Sequence, residues 1–91
     1  MGRDILEIKK RAEAFKSSFT FTYIKEIVSG RENWYNGFIV NIHDDLLVFF
    51  DIVMKKEFVV LLKDLIVVEP SKKNMPFKTA WKIYNECSKN I

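Results

Sequence analysis

Ninety-one residues, 48% apolar and 14% aromatic, with three glycines and two prolines, fit a single domain (residues 1–91) with its own core and exclude a disordered chain, a collagen and a flexible linker. No run of about 18 uninterrupted apolar residues occurs, and the first twenty positions hold Arg3, Asp4, Glu7, Lys9, Lys10 and Arg11 where a secretory signal needs an apolar stretch. Cys87 is the only cysteine, which excludes a disulfide-stapled scaffold, so the expectation is a cytoplasmic protein that needs no membrane and no cofactor.

The net charge of +3 is unevenly placed: residues 1–17 have five Lys/Arg against three acids, residues 71–91 have five against one, and residues 18–51 have two against five. Basic ends around a mildly acidic centre put any polyanion-binding footprint on the terminal segments.

Within residues 3–16, Ile5, Ile8, Ala12 and Phe15 recur at spacings of three and four, the period of an amphipathic helix. From Ser18 the period becomes two, with Phe19, Phe21 and Tyr23 alternating with Thr20 and Thr22, which predicts a first strand running to Ser29. Gly30 to Asn33 reads as a polar turn, and Trp34 to Ile42 as a second strand with Gly37 inside it. An interior strand glycine marks a bend, a bulge or the close approach of another backbone. His43 to Asp45 is the next turn, Leu46 to Val53 a third strand, Met54 to Glu57 a hairpin turn and Phe58 to Lys63 a fourth strand. Asp64 makes a corner, and Leu65 to Glu69 is a short fifth strand stopped by Pro70. After a basic linker, Ser71 to Met75, Pro76 suits a first helical turn, and Phe77, Trp81, Tyr84 and Cys87 line one face of a second helix.

The expected fold class is therefore mainly β with flanking helices: an N-terminal helix (1–17), a strongly bent five-stranded antiparallel small barrel (18–69), and a linker with a C-terminal helix (70–91). The third and fourth strands are apolar on both faces, since Leu46, Val48 and Phe50 alternate with Leu47 and Phe49, and Phe58, Val60 and Leu62 with Val59 and Leu61. An antiparallel sheet normally keeps one face wet, so the second face calls for a helix, barrel closure or another subunit, and a homo-oligomer is expected.

This order of elements, with the segment WYNGFIVNIHDDLLVFFD, resembles the Sm-like family of SH3-like small barrels over residues 3–69. Gly37, Ile39 and Asp44 or Asp45 look like the glycine, aliphatic residue and aspartate of the first Sm motif, although a count from Gly37 puts the family's aspartate at His43. Leu47 and Val48 stand where the family has its uridine-contacting asparagine, and Leu62, Lys63 and Asp64 where its second motif has an aliphatic residue, arginine and glycine. The resemblance implies rings or smaller oligomers joined through the fourth and fifth strands, and non-catalytic RNA binding.

Arg31, Asn33, Trp34 and Tyr35 combine a cation, an amide and two aromatics, a composition that stacks bases or binds a peptide. Strand alternation also accommodates Trp34 and Tyr35 with one ring inside the wall and one outside. Lys55 and Lys56 in the hairpin, with Lys72 and Lys73 in the linker, are candidate phosphate contacts, and charge at a hairpin edge also guards it from aggregation. Gly37, Asp44 and Asp45 are expected to be structural, the two aspartates through turn chemistry rather than metal binding with Asp51 and Glu57. His43 has no second histidine and Cys87 no histidine close to it in sequence, so neither marks a catalytic centre, and Trp81 and Tyr84 are expected in the core. The expected function is that of a non-enzymatic, oligomeric RNA-binding or nucleic-acid-binding module of the Sm-like kind, with single-stranded RNA as a candidate partner. The alternative is a protein-interaction barrel of SH3 or Tudor type in which Trp34 and Tyr35 meet a peptide.

Overall fold

The computed structural model describes residues 5–88, so Arg3, Asp4 and Lys89 lie outside the described residues. Its elements are α1 (Ile5–Ser17), β1 (Thr22–Val28), β2 (Arg31–His43), β3 (Leu46–Asp51), β4 (Lys56–Leu61), a 3₁₀ turn (Leu62–Asp64), β5 (Leu65–Pro70) and α2 (Phe77–Ser88). The five strands form one antiparallel sheet in the order β4-β3-β2-β1-β5.

β3 stops at Asp51 rather than Val53, β4 runs over Lys56–Leu61 rather than Phe58–Lys63, and two further boundaries differ from the sequence pattern for identifiable reasons. Phe19 was expected in the first strand but ends α1 instead. Its N–H bonds to the Lys16 carbonyl, the Thr20 N–H bonds to the Phe15 carbonyl, and its φ is +52°. That is a Schellman ending, usually made with glycine. Here the ring is held by an edge-on contact with Trp81, 5.2 Å between centroids. The first hairpin turn is only Ser29 and Gly30, at φ +51° and +79°, which is the signature of a type I′ turn. Arg31, Glu32 and Asn33 are accordingly strand residues paired with Val28, Ile27 and Glu26, not a turn.

β4 and β5 are the two edges of the sheet, yet only Leu62–Asp64 joins them. In a flat five-stranded sheet those edges would stand about 19 Å apart, at about 4.8 Å per strand. A 3₁₀ turn of this length spans about 8 Å. The sheet must therefore curl until its edges come near each other, and with no β4–β5 pairing it stays open.

Curling creates an inner core of Ile24, Ile39, Leu47, Phe49, Val60, Leu62, Leu65 and Val68, closed by Ala12 with Ile8 and Phe15 of α1. On the outer face a second core joins Phe38, Phe50 and Ile52 to Ala80, Trp81, Ile83 and Tyr84 of α2. β2 serves both, with Phe38 in one core and Ile39 in the other. Gly37 permits this because a Cβ there would lie 1.8 Å from the Phe50 carbonyl oxygen, so the expected close approach is of β3. The bulge falls two residues on, between Ile39 and Asn41. Asp44 takes φ +50° in the turn before β3, and the Asp45 main-chain carbonyl accepts the Leu62 N–H at 2.9 Å.

Candidate nucleic-acid interface

Register puts Tyr23, Lys25, Trp34 and Asn36 on the outer face of the β1–β2 ladder, where Tyr23 lies opposite both Asn36 and Glu69, and Lys25 opposite Trp34. Trp34 is 60% exposed. The indole, mostly in water, forms one wall of a cleft of about 460 Å³ with Tyr23, Asn36, Glu69, Pro70, Lys72 and Lys73.

The linker lysines reach this wall because Ser71 ties the linker to the sheet. Its N–H bonds to the Phe21 carbonyl at 2.8 Å, its hydroxyl donates to Asn36 Oδ1 at 2.6 Å, and Ser71 Oγ itself accepts the Lys73 N–H at 3.1 Å. Asn36 is also bound from the other side. Its N–H donates to Asp51 Oδ1 at 3.3 Å and its carbonyl accepts the Ile52 N–H at 3.0 Å, while Asp51 Oδ2 takes the Met54 N–H at 2.8 Å. One asparagine thus anchors both the Lys72–Lys73 linker and the turn that leads to Lys55 and Lys56. Buried Asp51 thus accepts one backbone N–H through each carboxylate oxygen, and among the described residues no group of three metal-ligating side chains gathers.

Tyr35 does not share the Trp34 surface. It points to the inner face, stacks on Phe58 at 5.1 Å and donates its hydroxyl to Glu26 Oε2 at 3.1 Å, beside a 3.2 Å bond from Asn33 Nδ2. These two donors satisfy a carboxylate that is otherwise buried. Burial, followed by the hydrogen bond and charge of Glu26 and the more distant charge of Asp51, holds the Tyr35 phenol above its ordinary value of 10.0. Arg31 is exposed at the hairpin tip, and Lys56 sits over the Phe58 ring at 5.3 Å. Lys55 occupies the turn at φ +58°. Neither hairpin lysine lines the cleft, and Lys25 is engaged with Glu32 at 3.2 Å.

Sequence reasoning thus singled out Trp34, Lys72 and Lys73 of this cleft and missed Tyr23, Asn36, Glu69 and Pro70. The alternation that placed Tyr23 in a strand also allowed it an outward face, but its apposition to Asn36 and Glu69 is a long-range pairing with no local signal. His43 is exposed at the end of β2, and Cys87 packs from α2 against the outer core. Among the described residues no helix is long and apolar enough to cross a membrane. No protein-family model, curated protein or solved structure matches the chain.

Proposed function

We propose that this chain is a non-enzymatic module, Sm-like in character, that binds single-stranded RNA in the Trp34 cleft. The carrying observation is that an indole 60% exposed to solvent shares one cleft with Lys72 and Lys73. A base stacks on Trp34 or Tyr23, and the ammonium groups take the flanking phosphates without reading sequence. A five-stranded sheet curled so far that a three-residue turn links its edges supports the small-barrel reading. The positive ends of the chain, on either side of a mildly acidic middle, agree with a polyanion partner meeting the linker.

The test is fluorescence anisotropy of a labelled single-stranded RNA, with duplex DNA as competitor, at low and moderate salt. Trp34→Ala is expected to weaken binding roughly tenfold, the size of one lost base stack. Replacing Lys72 and Lys73 together by alanine reduces the slope of log K against log salt by about 1.4, at about 0.7 per phosphate contact on a single strand. Absence of binding at low salt rejects the reading. Glu69 and Pro70 in the same cleft favour a second one, a basic or proline-containing peptide lying across Tyr23 and Trp34. It predicts binding with a shallow salt dependence and loss on Glu69→Gln.

A further inference from the structure

The two edges of the sheet are not equivalent, and the register shows how. Ser71 N–H bonds to the Phe21 carbonyl, so Phe21 and Ser71 form a hydrogen-bonded pair, and so do Tyr23 with Glu69 and Lys25 with Val67. Ile24 and Val68 between them are a non-bonded pair, which turns the N–H and C=O of Val68 away from β1 toward open space. Arg11 of α1 fills that space, because its Nε donates to the Val68 carbonyl. α1 also lies against β5 through Ile8, leaving only a shallow groove beside Ile66 and Val67. Pro70, with no N–H, ends this edge.

β4 has no such guard. Leu62 N–H bonds to the Asp45 carbonyl, so Leu47 with Val60 and Phe49 with Phe58 are the hydrogen-bonded pairs of the β3–β4 ladder. Glu57 and Val59 consequently turn their N–H and C=O groups outward with no hydrogen-bond partner among the described residues, and Leu61 turns its N–H outward while its carbonyl starts the 3₁₀ turn. Their side chains share the outer face with Leu46 and Val48, beyond the reach of the α2 core: Val59 is 65% exposed, Leu46 40% and Leu61 36%. Natural edges are blunted by charge, proline, bulges or a covering element, and β4 has none of these from Phe58 to Leu61.

We propose that two copies of this chain join by antiparallel pairing of β4 with β4 about a two-fold axis at Val59. An open edge needs a partner edge with the same spacing of free groups, and on this molecule the guarded β5 does not offer one, whereas a second β4 does. Centring the axis on Val59 places Val59 opposite its own copy and Glu57 opposite Leu61 of the other copy. The ladder then has about four interchain hydrogen bonds between groups otherwise free, and two more from Glu57 N–H to the Leu61 carbonyl, an oxygen that also accepts within the 3₁₀ turn. Registers centred one residue away leave one of the three unmatched. No like charges oppose each other within this ladder, and Val59, Leu61, Leu46 and Val48 of both copies merge into one apolar strip. The product is a ten-stranded sheet with no open β4 edge, closed by symmetry rather than growing into a fibre.

Light scattering across a wide concentration range tests the mass, and it is expected to approach twice the 10.8 kDa of one chain. The Val59 N–H faces outward, so Val59→Pro breaks the interface while sparing the β3–β4 ladder, and it should give a folded monomer by circular dichroism. Should that variant fail to fold, Val59→Lys serves the same end. Val59→Cys in a Cys87→Ser background puts two thiols on the axis with Cα atoms about 5.5 Å apart, within disulfide range, and oxidation should convert the dimer to a covalent one. A wild-type mass of one chain at every concentration overturns the proposal. So does a multimer in which position 59 does not cross-link, since head-to-tail pairing of β4 on β5 keeps the two Val59 residues apart.

Discussion

The inner and outer cores of this small domain are built on different principles. The inner core is mostly aliphatic, fully buried at Ile24, Leu47, Phe49 and Leu65, and drawn from all five strands plus α1. The outer core is a cluster of rings, with Phe38 meeting Trp81 at 5.5 Å and Tyr84 at 5.6 Å, and Phe50 meeting Tyr84 at 5.1 Å. It joins one helix to two strands and a turn residue. Aliphatic packing inside a curled sheet holds the whole fold, whereas rings meeting at edges dock a single element. The contrast predicts that disturbing α2 is felt mainly within that layer, while disturbing an inner residue is felt throughout the sheet.

Phe49→Ala should have the largest effect, because it empties the biggest fully buried side chain of the inner core: about 4 kcal/mol of global stability, read by urea unfolding. Gly37→Ala comes next, at about 3 kcal/mol, since a Cβ would collide with the Phe50 backbone where β2 passes from one core to the other. Trp81→Ala should cost about 2 kcal/mol, and hydrogen exchange should show the loss confined to α2 amides while β1 to β3 stay protected. Equal loss of protection in the strands would break the comparison.

The smallest effect concerns the buried Glu26 carboxylate beside the inner core. Tyr35→Phe removes one of the two donors that satisfy Glu26, and should cost about 1 kcal/mol near neutral pH. The folded Tyr35 phenol titrates above its unfolded value of 10.0. The stability tied to it is therefore complete below pH 10 and is lost as pH rises through the higher folded value. Thermal unfolding followed from neutral to alkaline pH should fall more steeply for the wild type than for Tyr35→Phe.

The order of helix, five strands and helix was legible because each element carries its own period: Ile5, Ile8, Ala12 and Phe15 for α1, and alternating hydrophobes for the strands. Element ends were less legible where long-range packing overrode local chemistry. Phe19 takes a position that favours glycine because Trp81 holds its ring, and nothing near Phe19 in sequence announces Trp81. The same limit applies to the cleft. Trp34, Lys72 and Lys73 stand out by composition, but Asn36, the residue that brings the basic linker to the indole, is an ordinary strand asparagine until Ser71 and Asp51 are seen on either side of it. The apolar second face of β3 and β4 was also visible in sequence, and the structure divides it. α2 covers Phe50, while Val59 and Leu61 stay in solvent.

The short Leu62–Asp64 connection has a consequence for protein engineering. Most hairpin tips accept added residues cheaply, because closure entropy grows only slowly with loop length, and the Ser29–Gly30 tip is of that kind. Leu62–Asp64 works instead as a drawstring: its brevity pulls the two rims of the sheet toward each other, and Leu62 is itself plugged into the interior. Slack added there would let the rims part and expose the interior to water, so grafted epitopes, affinity tags and new chain termini belong at the first tip.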